Sequence, residues 1–285
     1  MVLAALNGFY PPDFSDEARQ CFPVGAPPPG ADRVPRQVEI GDARALQAAG
    51  QLSEGDFFAQ HGFVLLPHET AVRDWDADVA PIYLGEIERV IRARLLPGRR
   101  VEIHQLPNLL RRGRDTPVPF YAEGVHSDGG IDADDYAHNI EAFSTPEAGR
   151  WWRSGYERAD VAGMIWIDFW RTTNMAGPLH HMPLALCDTA SLDAVDLVRS
   201  GLTGIAPEGR ESHHLSLRHN PEQRWYVYPG MTDEELLAFK LAEFWKVPTP
   251  PRNCFHSAFR DPDALSDAEH RQSCEHRVGV MVLND

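Results

Sequence analysis

His126-Ser127-Asp128 and His256 constrain this chain more than any other feature. In an extended strand, residues two apart project from one face, so the His126 imidazole and the Asp128 carboxylate can share one ion. His256 stands 128 residues beyond Asp128, and for it to complete such a site the fold must bring distant segments together. Two imidazoles and a carboxylate on one side of Fe(II) leave the opposite positions open for a chelating co-substrate and O2. A closed four-ligand zinc site has no such room. Of the 13 histidines, only His126 has an acidic residue two positions later. Taken alone, the pair equally fits a hydrogen bond in a surface loop, because Gly124, Gly129 and Gly130 flank it.

The C-terminal part adds the second half of the pattern. His256 opens a short polar/apolar alternation after Asn253-Cys254-Phe255, which suits a strand with His256 facing inward. The run Arg271–Leu283 reads as a long closing strand, so Arg271 and Ser273 share a face 15 residues beyond His256. A guanidinium binds a carboxylate in a planar two-point contact and an adjacent hydroxyl adds a hydrogen bond, which suits the distal carboxylate of 2-oxoglutarate. Arg277, on the same strand face, competes with Arg271 for this role. For either arginine alone, a salt bridge to a local acid is the simpler reading.

Along the rest of the chain, residues 20–36 are dense in Pro and Gly and predict an extended loop. Val38–Ile40 predicts a short strand, Asp42–Gln51 a helix, and the apolar run inside Phe57–Leu66 a buried strand. Leu84, Ile87, Ile91 and Leu95 recur at helical spacing, so a helix is expected over Ile82–Leu96, ended by Pro97-Gly98. Val161–Trp170 reads as a central strand, Ser191–Ser200 as a short helix and Arg224–Tyr228 as a strand. Glu234–Trp245 suits a helix or a strand pair. Many short strands plus a few flanking helices favour a mainly β, cupin-like jelly-roll in one domain over 1–285.

Three blocks carry a resemblance: Trp170-Arg171 with Gly177–Asp188, then Arg224–Lys240, then His256–Pro262 with Arg271–Arg277. They are similar to the hydroxylase/desaturase family of natural-product pathways, often described as gibberellin-desaturase-like. Weaker likeness extends to Leu3–Tyr10 and to Gly62–Glu88. The resemblance implies a non-haem Fe(II), 2-oxoglutarate-dependent oxygenase with a double-stranded β-helix core. It also implies His126, Asp128 and His256 as iron ligands and Arg271 with Ser273 as the 2-oxoglutarate anchor. Tyr226 is a further candidate for the co-substrate, and Trp170, Arg171 and His181 for the substrate, a small natural-product intermediate. Hydroxylation, desaturation or rearrangement all suit such a centre, and Asp128 disfavours halogenation, which needs an open position there. Gly230 and the paired His180-His181 depart from the family pattern.

A net charge of −15 argues against a phosphate-backbone partner, and no segment approaches the ~20 apolar residues of a membrane span. Four cysteines without Cys-x-x-Cys spacing read as free thiols in a reducing cytoplasm. A homodimer is compatible with the sequence. Adjacent histidines in a strand point to opposite faces, so neither His180-His181 nor His213-His214 chelates as a pair. Two rivals stand beside the oxygenase reading: an iron oxidase that does not use 2-oxoglutarate, and a cupin-like binding protein.

Overall fold

Strand pairing between distant segments dominates the computed structural model, which describes residues 1–15, 18–105, 109–114, 116–250 and 252–284. Strands β1 (Val2–Leu6), β2 (Gln20–Pro23) and β3 (Arg36–Asp42) precede helices α1 (Ala43–Ala49) and α2 (Glu54–His61). Next come β4 (Phe63–Pro67), α3 (Leu84–Val90), β5 (Val101–Gln105) and β6 (Leu110–Arg112). Helices α4 (Ala133–Phe143) and α5 (Pro146–Tyr156) lead into β7 (Val161–Thr172), β8 (Leu184–Cys187), β9 (Leu197–Thr203) and β10 (Ser212–Leu217). The last strands are β11 (Trp225–Val227), β12 (Glu235–Trp245), β13 (His256–Ala258) and β14 (Ser273–Leu283).

One sheet runs β4-β12-β7-β14-β5, with β6 also pairing β14. Facing it are β1-β3-β11-β8-β13 and β10-β9-β2. Residues 126–127 join these last two: His126 and His256 exchange backbone hydrogen bonds at 3.2 and 2.9 Å, as do Ser127 and Leu215 at 2.9 and 3.0 Å. The main core lies between the layers and mixes residues from both, including Ile165, Phe169, Leu186, Tyr228, Phe239 and Val280. This is the expected double-stranded β-helix, with helices packed outside.

Several local expectations stand corrected. Ser191–Ser200 is not a helix: two single turns at Thr189–Ser191 and Ala194–Asp196 give way to β9, because Leu197 and Val198 are buried by pairing with β10. Phe57–His61 belongs to α2, which ends where Gly62 takes a left-handed φ of 80°, and only then does β4 begin. Glu234–Trp245 resolves to one strand, β12, with a bulge between Lys240 and Ala242; its long apolar run is buried on both faces. The 20–36 loop opens with β2. The helix over Ile82–Leu96 starts earlier, because single π-helical turns at Val79–Tyr83 and Ile91–Leu95 flank α3.

Candidate metal centre

Folding brings the two halves of the pattern into one place. Ligand atoms of His126, Asp128 and His256 lie within 4.8 Å of one another, as a metal-binding cluster requires. His126 Nε2 is 3.6 Å from Asp128 Oδ1, and His256 Nε2 is 3.7 Å from Oδ2. The backbone explains this convergence, since His126 pairs directly with His256 across the bridge that joins the sheet halves. The Nδ1 atoms turn away from the centre, toward the Gly124 carbonyl at 2.6 Å and the Cys254 carbonyl at 3.1 Å. With Nδ1–H donated to a carbonyl, Nε2 carries the free lone pair that a metal needs.

The electrostatics fit a cation between these groups. Burial pushes the Asp128 carboxyl up, but the Arg277 guanidinium and the His126 and His256 imidazoles outweigh it and hold the group below the usual carboxylate range. Burial, aided by the neighbouring His126, pulls His256 down to about 4, so its imidazole is neutral at neutral pH, as ligation demands. The donor set of two imidazoles and one carboxylate therefore suits Fe(II) with open positions.

The residues around the cluster fall on one face of two neighbouring strands. Ser273, Glu275 and Arg277 of β14 lie opposite Thr172, Trp170 and Asp168 of β7, so all six share a face. Arg277 Nη2 donates to Asp128 Oδ2 at 3.1 Å, which commits its charge to the carboxylate of the cluster. Arg271 differs. It is 1% exposed, Nη1 donates to the Met182 carbonyl at 2.6 Å, and it makes no ion pair among the described residues. Its Nε is unpartnered, as are the Ser273 and Thr172 hydroxyls nearby. The guanidinium packs on the rings of Tyr121 at 4.2 Å and Trp170 at 5.5 Å. Burial without a counter-anion pulls its pKa down to about 9, and an incoming carboxylate relieves that cost.

Other candidates are placed as follows. Trp170 faces the site and walls Arg271, whereas Arg171 turns to the opposite face. There its guanidinium donates to His68 Nδ1 at 3.2 Å and to the Asp233 carbonyl, and covers Trp75. His181 Nδ1 accepts from the Arg271 backbone N–H at 3.4 Å, and its ring lies against His270 and Tyr121. Tyr226 and His256 both pair with Leu186, so Tyr226 lies two strands from His256 on the same face of the sheet, and its ring packs on Phe63.

Two residues in this region, Asp168 and Thr172, escaped the sequence reading, and a third was read only as one of a non-chelating pair. Asp168 is fully buried with both carboxylate oxygens unpartnered; burial, reinforced by Glu275, raises its pKa well above the usual range. A lone acid inside the apolar run 161–170 was the available signal. Thr172 closes the same strand. His214 is the third: its Nδ1 is 3.8 Å from Asp128 Oδ1, while Nε2 meets Ser212 Oγ at 2.9 Å. Ser212, His214 and Asp128 thus follow the order of a hydrolytic triad, but Ser212 is 0% exposed and its hydroxyl donates to the Leu202 carbonyl. That burial keeps an acyl group from the Ser212 hydroxyl, so this serine is not placed as a nucleophile.

Comparisons with known proteins agree with this geometry. The chain is 30% identical over 156 residues to the hydroxylase/desaturase efuI of Hormonema carpetanum, covering 51% of this chain and 52% of that protein. It is 30% identical over 118 residues to aspirochlorine biosynthesis protein N of Aspergillus oryzae, covering 41% and 48%. The matched segments span about half the length of these relatives. Among solved structures, the iron and alpha-ketoglutarate-dependent endoperoxidase NvfI superposes with a TM-score of 0.71 at 18% identity, covering 99% of this chain and 96% of that one. Another structure of the same enzyme gives 0.66, also at 18%. This likeness establishes the fold. With a family model matched from residue 11 to 281, the chain belongs to the family described as YDMC, the oxidoreductase/YMDC permease-like domain.

Proposed function

We propose that this protein is a non-haem Fe(II), 2-oxoglutarate-dependent oxygenase that oxidises a C–H bond of a small natural-product intermediate. The observation that carries the reading is Arg271, a buried guanidinium with no ion pair among the described residues, beside the unpartnered Ser273 hydroxyl. Four residues beyond Ser273 on the same strand, Arg277 grips the metal carboxylate. About 13 Å of strand separates Ser273 from Arg277 at 3.3 Å per residue. The anchor residues and the arginine that grips the metal carboxylate therefore lie at separate places along one strand face, as the two ends of a dicarboxylate require.

When bound, Fe(II) and 2-oxoglutarate supply the oxidising power: the keto acid and O2 give succinate, CO2 and an oxidant for the substrate C–H bond. The chain's residues do the rest. His126, Asp128 and His256 hold the ion on one side. Arg271 donates to the distal carboxylate, with Ser273 adding a hydroxyl. Trp170 walls the co-substrate pocket, and His181 with Tyr121 borders it near Arg271. Arg171 supports the site from behind by tying the end of β7 to His68 and Asp233.

The names of the relatives, one a hydroxylase/desaturase and one an aspirochlorine biosynthesis protein, support secondary metabolism as the setting. Four free thiols, three of them buried, support a reducing, cytoplasmic one. Among the described residues, no helix is long and apolar enough to cross a membrane.

The test is succinate release from 2-oxoglutarate across a panel of pathway intermediates. Wild type should release succinate in step with one substrate's oxidation, and Asp128→Ala should not. Full turnover by Asp128→Ala would remove that residue from the metal site, and substrate oxidation without succinate would favour an oxidase.

A further inference from the structure

Asp128 is held from outside the metal cluster by Arg277. Its two carboxylate oxygens lie near different imidazoles, Oδ1 3.6 Å from His126 Nε2 and Oδ2 3.7 Å from His256 Nε2. Such a carboxylate is as well placed to chelate the ion as to bind it through one oxygen. The difference matters for the chemistry. In a six-coordinate site, two imidazoles and one carboxylate oxygen leave three positions, two for the keto acid and one for O2. A chelating carboxylate would leave too few.

We propose that Arg277 is a positioning residue that draws Asp128 Oδ2 away from the ion, so that Asp128 binds through Oδ1 alone and the O2 position stays open. The proposal rests on the oxygenase reading. Arg277 Nη2 donates to Oδ2 at 3.1 Å. Glu275 Oε2 lies 3.9 Å from the guanidinium on its own face, and Asp168 stands opposite Arg277 in the β7/β14 register. Glu275 is anchored in turn by Arg112 at 3.1 Å. On the far side, His214 Nδ1 stands 3.8 Å from Oδ1, too long for a hydrogen bond, so Oδ1 remains available to a metal. The carboxylate is thus gripped from one sheet at Oδ2 and only walled from the other at Oδ1.

The experiment measures Co(II) binding to purified wild type, Arg277→Met and Arg277→Lys by visible absorption, then 2-oxoglutarate binding at saturating Co(II). Arg277→Met frees Oδ2 to join the ion and removes a neighbouring positive charge, so it should bind Co(II) roughly tenfold more tightly than wild type. Its Co(II) spectrum should also shift to that of a changed coordination number, which a purely structural role would leave alone. Arg277→Lys, which keeps the charge, should lie between wild type and Arg277→Met in both and serves if Arg277→Met does not fold. The 2-oxoglutarate dissociation constant should move little in either variant. Unchanged Co(II) affinity and spectrum in the variants would overturn the proposal while leaving the oxygenase reading intact. So would a loss confined to 2-oxoglutarate, which would make Arg277 the anchor. Wild type that takes up no Co(II) would end both.

Discussion

Replacing Arg271 by methionine separates a binding role from a structural one, because the two predict opposite responses. An oxygenase anchor gives two charge-assisted hydrogen bonds to a carboxylate, each worth about 1.5–3 kcal/mol where one partner is charged. One Nη is already committed to the Met182 carbonyl, so the lower end applies: about 3–4 kcal/mol, or roughly 10²–10³-fold in 2-oxoglutarate affinity. Stability without ligand should respond differently. The substitution loses the Met182 hydrogen bond and two ring contacts, at 4.2 and 5.5 Å, worth about 1–2 kcal/mol each in a desolvated setting. It also removes a buried charge that has no counter-ion, whose burial costs several kcal/mol. These nearly cancel, and urea unfolding of the ligand-free variant should fall within about 1 kcal/mol of wild type. Titration of 2-oxoglutarate into the metal-loaded protein by calorimetry, beside the urea curves, reads both quantities. A variant that loses several kcal/mol of stability yet binds 2-oxoglutarate normally would refute the reasoning.

Ser273→Ala removes a hydroxyl with no hydrogen-bond partner among the described residues, so 2-oxoglutarate affinity should drop about tenfold with stability unchanged, since a hydrogen bond to a charged carboxylate contributes about 1.5 kcal/mol. Gly62→Ala forces a side chain onto a φ of +80° with its Cβ 2.2 Å from Thr189 Cγ2, and thermal unfolding should come several degrees lower, the strain costing about 1–3 kcal/mol. Asp135 accepts from His213, the Ile131 N–H and Arg19; burial raises its pKa, but these partners prevail and lower it from 3.8 to about 2. A depressed carboxylate stabilises fully above its unfolded value and loses that contribution as pH falls through its folded one. The gap in urea midpoint between wild type and Asp135→Asn should therefore be constant above pH 4 and close toward pH 2, and a gap that persists at pH 2 would contradict the assignment.

Much of the site was legible because its chemistry is carried by rare residue patterns. The His126/Asp128 spacing, His256 and the Arg271/Ser273 pair need no tertiary information to be noticed, and β14 announces itself as a long branched run. What stayed hidden depends on pairing. Ser191–Ser200 carries an acid, Asp193, that caps a short turn, and only the register against β10 reveals that Leu197 onward is a strand. The α4–α5 hairpin went unread although Asp132 and Thr145-Pro146 mark both helix starts. The rule that adjacent histidines face apart holds for His213 and His214, yet it conceals that one of them, His214, points at Asp128 while the other bonds Asp135. Asp168 and Thr172 sit in a strand whose apolar character masks them. Their part in the site follows only from lying opposite Arg277 and Ser273.

An anaerobic titration of Fe(II)-loaded protein with 2-oxoglutarate tests the central claim most directly, because chelation of the ion by the keto acid is the step on which every assigned role converges. Wild type should develop a weak visible charge-transfer band that saturates at one equivalent per chain, with His256→Ala giving none and Arg271→Met requiring at least a hundredfold more co-substrate. A wild-type spectrum that 2-oxoglutarate leaves unchanged, with iron demonstrably bound, would contradict the account.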